Sequence, residues 1–461
     1  MNMERRNAWE TYDEKQIGQL EAVCRRYRAY LDAGKTEREC AAETIRLAKE
    51  AGYRSLSEAI EMGEKLKPGD KLYCDQMGKS VLLFVLGYEK LEKGMNIIGA
   101  HIDSPRMDIK QNPLYEDTDL AYLDTHYYGG IKKYQWVTLP LALHGVVAKK
   151  DGTVVNIVVG EKDDDPVFAV SDLLIHLAQD QMQKKASVVI EGEELNLLVG
   201  GKPVAGEEKD KVKAGVLAFL KEAYDIEEED FLSAELEVVP AGRCRELGFD
   251  RSMLLGYGHD DRVCAFAQVE AMLGLEGVPE RTSCCILADK EEIGSVGATG
   301  MQSRFFENSL AELMALCGEE GDLKLRRALK NSRMLSCDVS AGFDPNFASV
   351  FEKKNAAFLG RGVCFNKFTG ARGKSGSNDA NAEFLGRLRR TMDDAGVNFQ
   401  TAELGKVDVG GGGTIAYICA LYGMDVIDSG VPVLSMHAPW EIVNKADVYE
   451  AAKAYKAFLV D

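Results

Sequence analysis

Hydrophobic positions along the chain follow two spacings, and together they predict an α/β protein. Apolar residues that recur every three or four positions predict amphipathic helices, whereas short uninterrupted or alternating apolar runs predict strands. The predicted helices cover residues 13–33, 36–52, 171–183, 214–224 and 445–458. The predicted strands cover residues 81–86, 95–100, 234–238, 284–287, 333–337, 399–404 and 431–436. Thr36 and Glu39 form a capping-box pattern, which indicates where the second helix begins.

The middle of the chain differs in character from its two ends. Residues 128–159 are rich in Val, Leu and Thr, and a Lys-Lys-Asp-Gly turn at 149–152 joins two β-type runs. An acidic stretch with interspersed lysines, a helix and a strand follow. We therefore expect a β-rich domain at 115–245, inserted into a discontinuous α/β domain that is formed by residues 1–114 and 246–461.

The composition excludes several classes of partner. The chain has 461 residues and a formal net charge of -18, so nucleic acid and anionic membranes, which attract basic patches, are not expected partners. The amino terminus has no apolar core of signal-peptide length, and no apolar run is long enough to span a membrane. The expected location is the cytoplasm. The 11 cysteines contain no C-x-x-C pair, which argues against a disulfide framework or a zinc knuckle.

Acidic side chains and histidines follow several of the predicted strands. Glu291 and Glu292 come directly after the apolar run 284–287, although adjacent glutamates are also common on solvated surfaces. His101 ends another predicted strand, and Asp103 lies two positions further on. Because residues two apart on an extended chain share a face, Asp103 can hold the far ring nitrogen of His101 and orient it for metal binding.

Three further segments of strand-to-loop character end in residues of the same kind. Asp260 lies at a loop-to-helix junction, where it could equally be a helix N-cap, while Asp338 and His437 each follow a predicted strand. Nitrogen and carboxylate ligands suit zinc or a similar divalent ion. Two ions that share one bridging carboxylate require two histidines, three carboxylates and a further glutamate as general base. The candidate residues supply this set.

Six motifs carry a resemblance to a known family. They are AHIDSP at 100–105, HDDR at 259–262, DKEEIGS at 289–295, CDVSAGFDPN at 337–346, TAELGKVDVGGGGT at 401–414 and MHAPWE at 436–441. Together they resemble the aspartyl aminopeptidase family, the dinuclear metallo-aminopeptidases of metallopeptidase family eighteen, and most closely its bacterial branch. The resemblance spans almost the full chain in the family's motif order.

The resemblance implies a role for each candidate residue. It implies two divalent ions per subunit, of which Zn²⁺ is expected and Co²⁺ or Mn²⁺ are alternatives. The implied ligands are His101 and Asp338 for one ion, Glu292 and His437 for the other, and Asp260 as the bridge. Glu291 would be the general base and Asp103 the catalytic partner of His101. The bond between Asp260 and Asp261 would be a cis peptide.

The resemblance also implies a fold, an activity and an assembly. The fold would be a central mixed sheet flanked by helices, the phosphorylase/hydrolase-like zinc peptidase fold, with residues 115–245 as a dimerisation domain. The protein would remove N-terminal residues from peptides with a free amino terminus and assemble from dimers into a tetrahedral dodecamer. The family name suggests acidic N-terminal residues, which Lys367 and Lys374 could bind. His126 and His176 are candidates for completing a neighbouring active site.

The sequence is also compatible with two other functions. The same fold could carry a dinuclear deacylase that acts on small acylated amines, or the protein could be a non-catalytic assembly module. Loss of a ligand type would favour the non-catalytic reading, and each ligand type is present in the sequence.

Overall fold

The computed structural model describes residues 6–370 and 372–461, and it divides into two compact units. The first unit comprises the described residues up to Asp103, Cys244–Met436 and Glu441–Asp461. The second unit comprises Ser104–Arg243 and His437–Trp440. It begins before the expected boundary at 115 because strand Arg106–Asp117 pairs with strands of the second unit.

The secondary structure of the described residues consists of the following elements. The α-helices are α1 Glu14–Ala33, α2 Glu37–Glu50, α3 Leu56–Glu61, α4 Lys211–Tyr224, α5 His259–Leu273, α6 Phe305–Leu316, α7 Asp322–Asn331, α8 Ala382–Asp394, α9 Ala416–Ala420 and α10 Lys445–Leu459. The first ten strands are β1 Arg54–Ser55, β2 Lys71–Gln76, β3 Ser80–Val85, β4 Asn96–His101, β5 Arg106–Asp117, β6 Leu120–Tyr128, β7 Leu141–Ala148, β8 Val154–Val159, β9 Leu197–Gly200 and β10 Ala234–Pro240. The others are β11 Arg245–Leu247, β12 Met253–Gly256, β13 Ser283–Ala288, β14 Arg333–Cys337, β15 Ser340–Ala341, β16 Val363–Asn366, β17 Phe399–Thr401, β18 Asp425–Gly430, β19 Pro432–Leu434 and β20 Glu441–Asn444.

A mixed sheet forms the centre of the first unit. Its strand order, among the described residues, is β1-β2-β3-β13-β4-β14-β18-β16-β17. The four strands β13, β4, β14 and β18 run parallel to one another, whereas β3 and β16 run antiparallel to their neighbours β13 and β18. The carboxyl ends of the four parallel strands therefore meet at one edge of the sheet, where ligands commonly bind in α/β proteins.

Helices cover both faces of this sheet. Alternate residues of β3 point to opposite faces: Leu83 belongs to a buried cluster that includes residues of α1, α2, α5, α8 and α10, and Leu82 belongs to one that includes residues of α3, α6, α7 and α9. The strands β3, β4, β13 and β14 are buried along their whole length, as expected for a sheet with helices on both sides. The predicted fold class, a mixed central sheet flanked by helices, is confirmed.

The second unit is built on an antiparallel sheet. Its strand order is β8-β7-β10-β5-β6-β9 in the described part of the chain. The turn predicted at 149–152 joins β7 to β8, which pair antiparallel from Leu143 with Val159 to Ala148 with Val154. Helix α4 lies against β5, β6 and β9 of this sheet.

The prediction of a single helix at 171–183 is wrong. The structure has two short 3-10 helices in its place, Ile175–Leu177 and Gln181–Gln183. A short helix is stable mainly when its apolar stripe is buried, and here Leu174 and Ile175 are 54% and 67% exposed. The capping box at Thr36 is confirmed, since its side chain accepts the Glu39 N–H at the start of α2.

Within residues 6–370 and 372–461, every helix is too short or too polar to cross a bilayer.

Candidate metal centre

Three neighbouring parallel strands deliver the central side chains of the site. His101 is the last residue of β4, Asp338 directly follows β14, and Glu291 and Glu292 lie in a 3-10 helix three residues after β13. Because β13, β4 and β14 are adjacent and parallel, these residues come together at the carboxyl edge of the sheet. The predicted strand-to-loop placement of all four residues is therefore what the structure has.

The imidazole of His101 is buried and faces carboxylates on both sides. Its Nε2 lies 3.3 Å from Asp260 Oδ1 and 3.8 Å from Asp338 Oδ1. Its Nδ1 lies 3.3 Å from Asp103 Oδ1 and 3.0 Å from the Asp103 carbonyl oxygen. This arrangement orients Nε2 toward the two carboxylates that the resemblance assigns as metal ligands.

Asp103 has a second set of partners that the sequence did not suggest. Its Oδ1 accepts the backbone N–H of Glu291 at 3.1 Å, and its Oδ2 accepts the backbone N–H of Glu292 at 3.1 Å. Asp103 is fully buried. The same carboxylate therefore contacts His101 and the start of the turn that carries both glutamates.

Helix α5 brings two further aspartates to the site through an irregular first turn. Asp260 and Asp261 have non-helical backbone angles, and the peptide bond between them is cis, as the resemblance implies. The Asp260 N–H donates to Glu441 Oε2 at 2.9 Å, and Asp261 Oδ2 accepts the His101 N–H at 3.4 Å. Asp261 was not among the predicted site residues, although its place beside Asp260 in the HDDR motif was a usable signal.

The close approach of these buried and half-buried groups shifts their pKa values. Burial, reinforced by the charge of Asp338, raises the pKa of Asp261 well above its usual value. Burial also raises the pKa of Glu291 to about 8, and the charges of Asp338 and Asp103 add to the effect while His101 opposes it. For His101, burial alone would lower the pKa, but its hydrogen bonds to Asp103 and other carboxylates raise it well above its usual value. So many buried carboxylates favour a cation among them.

The donor atoms of the cluster fit a divalent metal ion. His101, Asp261 and Asp338 can each place one ligand atom within 4.8 Å of the others, and so can His101, Asp260 and Glu292. One imidazole nitrogen together with carboxylate oxygens is a donor set that zinc accepts. The two groups share His101 but contain different carboxylates. The residues present could therefore hold a metal ion through either set of carboxylates.

Other predicted site residues lie elsewhere in the chain. His437 belongs to the second unit, where its Nδ1 is 2.9 Å from the Gly130 carbonyl oxygen. His176, also in the second unit, is an exposed residue of a 3-10 helix. Lys367 and Lys374 lie in the first unit, and both form ion pairs with Asp379, at 2.5 and 3.1 Å.

Two buried aspartates near the site were also missed by the sequence reasoning. Asp289 directly follows β13, and Asp428 lies on β18 opposite Ser336 of β14. Burial raises the pKa of Asp289 to about 6 and that of Asp428 to about 7. Asp289 begins the DKEEIGS motif and could have been noticed there, whereas Asp428 lies in an apolar stretch without a motif.

Comparison with known proteins gives consistent matches along the chain. The family model described as aminopeptidase I zinc metalloprotease (M18) matches residues 30–459. A curated relative from Clostridium acetobutylicum, named "Probable M18 family aminopeptidase 1", is 61% identical over 457 residues, which are 99% of this chain and 98% of the relative.

Solved structures agree with this assignment. The crystal structure of aminopeptidase I from Clostridium acetobutylicum has a TM-score of 0.93 and 59% sequence identity, and the match covers 100% of both chains. The crystal structure of an M18 family aminopeptidase from Thermotoga maritima has a TM-score of 0.94 and 43% identity, covering 99% of both chains. The match to the family model, the identity with its members and the shared fold all agree: the chain belongs to the M18 family of zinc metalloproteases and is a metallo-aminopeptidase.

Proposed function

We propose that this aminopeptidase acts through two divalent metal ions and uses Glu291 as its general base. The main support is the convergence of His101, Asp260, Glu292 and Asp338 at the sheet edge that also carries Glu291. Zinc is the proposed ion because the family is one of zinc metalloproteases and the donor set is nitrogen with carboxylate. Co²⁺ and Mn²⁺ are alternatives for the same ligands.

Each proposed ligand is assigned to one of the two metal ions or to both. His101 and Asp338 would hold one ion, Glu292 and His437 would hold the other, and Asp260 would be a ligand shared by both. The short distances from His101 Nε2 to Asp260 and Asp338 support the first part of this assignment. The assignment of His437 rests on the MHAPWE motif and on its position after strand β19.

Glu291 would carry the proton that moves during peptide hydrolysis. Zinc, when bound, lowers the pKa of a coordinated water toward 7 and polarises the substrate carbonyl. Glu291 would accept a proton from the attacking water and transfer it to the leaving amine. Burial raises the pKa of this carboxyl to about 8. Nearby positive charge lowers that pKa, so a value near neutral, where a base both accepts and donates, is attainable.

Asp103 would orient the other groups without contacting the substrate. Its contact with His101 Nδ1 directs Nε2 toward the metal ligands, and its two bonds to backbone N–H groups hold the turn of Glu291 and Glu292. A side chain that positions a metal ligand in this way typically affects activity by about 10- to 100-fold when it is changed.

A preference for acidic N-terminal residues stays a prediction. Lys367 and Lys374 are the proposed cations for an acidic substrate side chain. Both contact Asp379, which would compete with such a substrate for them. All three side chains are about two-fifths exposed, where ion pairs contribute little and exchange readily. The proposed selectivity is therefore modest.

We propose that the second unit makes the contacts for self-association. Leu173, Leu174, Ile175 and Leu177 expose 46 to 68% of their surface within five residues, and so many exposed apolar side chains usually mark an interface. A solved structure with 19% identity and a TM-score of 0.75 is named the S. cerevisiae mApe1 dodecamer. We propose dimers that assemble into a dodecamer for this chain too, with His176 beside a neighbouring active site. A cytoplasmic location stays a prediction.

The experiment that tests the catalytic proposal uses the full-length protein stripped of metal with a chelator. Zn²⁺, Co²⁺ or Mn²⁺ is then restored, and turnover is measured on a panel of aminoacyl chromogenic substrates. N-acetylated forms of the same substrates are the matched control, because only an aminopeptidase requires the free amine. We expect turnover that depends on metal and on a free amine. Release of acetate from the acetylated substrates without release of the chromophore would favour a deacylase, and turnover without metal would overturn the proposal.

A further inference from the structure

The loop that carries Glu291 and Glu292 is closed by three buried polar residues, Ser80, Asp289 and Thr299. We propose that this cluster, called here the closure cluster, positions the two glutamates for catalysis and metal binding. The inference rests on the proposed roles of Glu291 and Glu292. The three residues would affect the reaction by positioning the glutamates, without contacting the substrate or binding the metal.

The closure cluster links the two ends of the loop to each other and to β3. The Thr299 hydroxyl donates to Asp289 Oδ2 at 2.5 Å. The Asp289 N–H donates to Ser80 Oγ at 3.1 Å, and the Ser80 hydroxyl donates to the Thr299 carbonyl oxygen at 2.6 Å. Exposure is 4% for Thr299, 1% for Asp289 and 0% for Ser80. Water therefore does not compete for these three bonds, and the ends of the loop are held in register.

The loop between these ends needs an external constraint. Lys290, Gly294 and Ser295 have positive φ angles of 68, 95 and 59°, a conformation that costs free energy for Lys and Ser and persists only where the surroundings enforce it. Ile293 and Val296 are 48% and 64% exposed, so apolar packing holds this segment only weakly. The position of the two glutamates thus depends on polar contacts, and those to Asp103 and those of the closure cluster are the buried side-chain contacts among them.

Asp289 itself is difficult to explain as a stabilising residue. Among the described residues its Oδ1 has no hydrogen-bond partner, and its nearest cation is Lys290 Nζ, 3.5 Å from Oδ2. Burial and the charges of Glu37 and Asp103 disfavour its ionised form. A buried carboxyl in such surroundings usually destabilises a fold, so a contribution to the geometry of the adjacent site is the better explanation.

The test removes one hydroxyl from the closure cluster of the zinc-loaded protein. Thr299→Val keeps the shape of the side chain but loses the bond to Asp289, and Thr299→Ser keeps the hydroxyl. Ser283→Ala is the matched control, because Ser283 lies at the other end of β13 and its buried hydroxyl donates to the Leu459 carbonyl oxygen at 3.1 Å. For each variant we would measure kcat, KM, Tm and the zinc dissociation constant by competition with a chromophoric chelator.

We expect Thr299→Val to lower kcat by about 10- to 100-fold with little change in KM, and to weaken zinc binding by a factor of about ten. Thr299→Ser should restore both quantities. Ser283→Ala should leave kcat and zinc affinity unchanged even if it lowers Tm as much as Thr299→Val does. A purely structural role would instead make kcat loss follow Tm in both variants.

The proposal and its premise fail in different ways. If Thr299→Val keeps normal kcat and zinc affinity while Glu291→Gln loses turnover, the closure cluster has no positioning role and the inference is overturned. If Glu291→Gln keeps normal turnover, the base assignment itself is wrong. If Thr299→Val and Ser283→Ala lose kcat equally, the effect is general destabilisation, which also overturns the inference.

Discussion

Asp103 Oδ1 accepts the backbone N–H of Glu291 at 3.1 Å, and the same oxygen lies 3.3 Å from His101 Nδ1. The other oxygen, Oδ2, accepts the N–H of Glu292 at 3.1 Å. One buried carboxylate therefore connects the residue that ends β4 with the turn that follows β13. Through this connection the orientation of a proposed metal ligand and the position of the proposed base depend on each other.

Asp103→Asn is expected to impair both functions. An amide has one acceptor oxygen, so its NH₂ group would face a backbone N–H and one of the two bonds to the turn would be lost. We expect kcat to fall by about 10- to 100-fold and zinc to bind more weakly. Asp75→Asn is the matched control, since Asp75 Oδ1 also accepts a backbone N–H, from Gly78, in an exposed turn. Equal turnover of the two variants would contradict the assignment.

The substitutions Glu291→Gln and Glu292→Gln are expected to impair the enzyme in different ways. Glu292→Gln removes a proposed ligand charge, so metal affinity should fall and excess Zn²⁺ or Co²⁺ should restore part of the activity. Glu291→Gln removes the proposed base, so turnover should fall by about a hundredfold to ten-thousandfold with metal still bound. Metal content by mass spectrometry, measured beside turnover, separates the two. Normal turnover of Glu291→Gln would remove the base from the mechanism.

The raised pKa of Asp428 predicts that the stability of the protein depends on pH. Burial raises its pKa from 3.8 to about 7, the Thr414 hydroxyl opposes this, and the charge of Asp338 adds to it. Between these values the folded state holds a proton that the unfolded state has released, so this residue's contribution to stability falls as pH rises from about 4 to 7. The loss amounts to at most about 4 kcal/mol for such a shift.

The variant Asp428→Asn has no such titration and keeps an acceptor for the Thr414 hydroxyl, which lies 2.6 Å from Asp428 Oδ1. The difference in Tm between the variant and the wild type should therefore increase between pH 4 and 7 and become constant above pH 7. Scanning fluorimetry at equal zinc content measures it. A difference that does not change with pH would show that Asp428 is ionised in the folded protein throughout.

The exposed apolar segment of the second unit predicts an effect on assembly. Ile175→Glu places a charge where the side chain is 67% exposed in the single chain, which a free surface tolerates and a subunit interface does not. We expect smaller species by size-exclusion chromatography with light scattering. Met62→Glu, at a 73% exposed position in the first unit, is the control. An unchanged mass for Ile175→Glu would place the interface elsewhere.

Asp379 and Lys367 predict opposite changes in substrate preference. Asp379→Asn removes the carboxylate that competes for Lys367 and Lys374, so the ratio of Asp to Leu substrate turnover should rise by about two- to fivefold, the range of an exposed ion pair. Lys367→Ala should lower the same ratio. The exposed Lys354→Ala is a control for general charge effects. If neither Asp379→Asn nor Lys367→Ala changes the ratio, this loop does not select the substrate.

Local patterns in the sequence determined much of the fold. Burial on both sides of a sheet requires continuous apolar strands, so the runs that became β3, β4 and β14 were recognisable without coordinates. The capping box at Thr36 and the turn at 149–152 depend on residues close in sequence and were predicted for that reason. The helix predicted at 171–183 failed because its apolar stripe is not buried, a fact that depends on the rest of the chain.

For the candidate site too, some features follow from the sequence and others only from the tertiary structure. The sequence by itself determined which residues end the strands, and so it identified His101, Glu291, Glu292 and Asp338 as candidates. Only the tertiary structure placed Asp261 beside His101, joined Asp103 to the turn of the glutamates, and closed that turn through Ser80 and Thr299. These contacts join residues that are up to 219 positions apart. Their geometry depends on strand order and register, which local apolar periodicity does not specify.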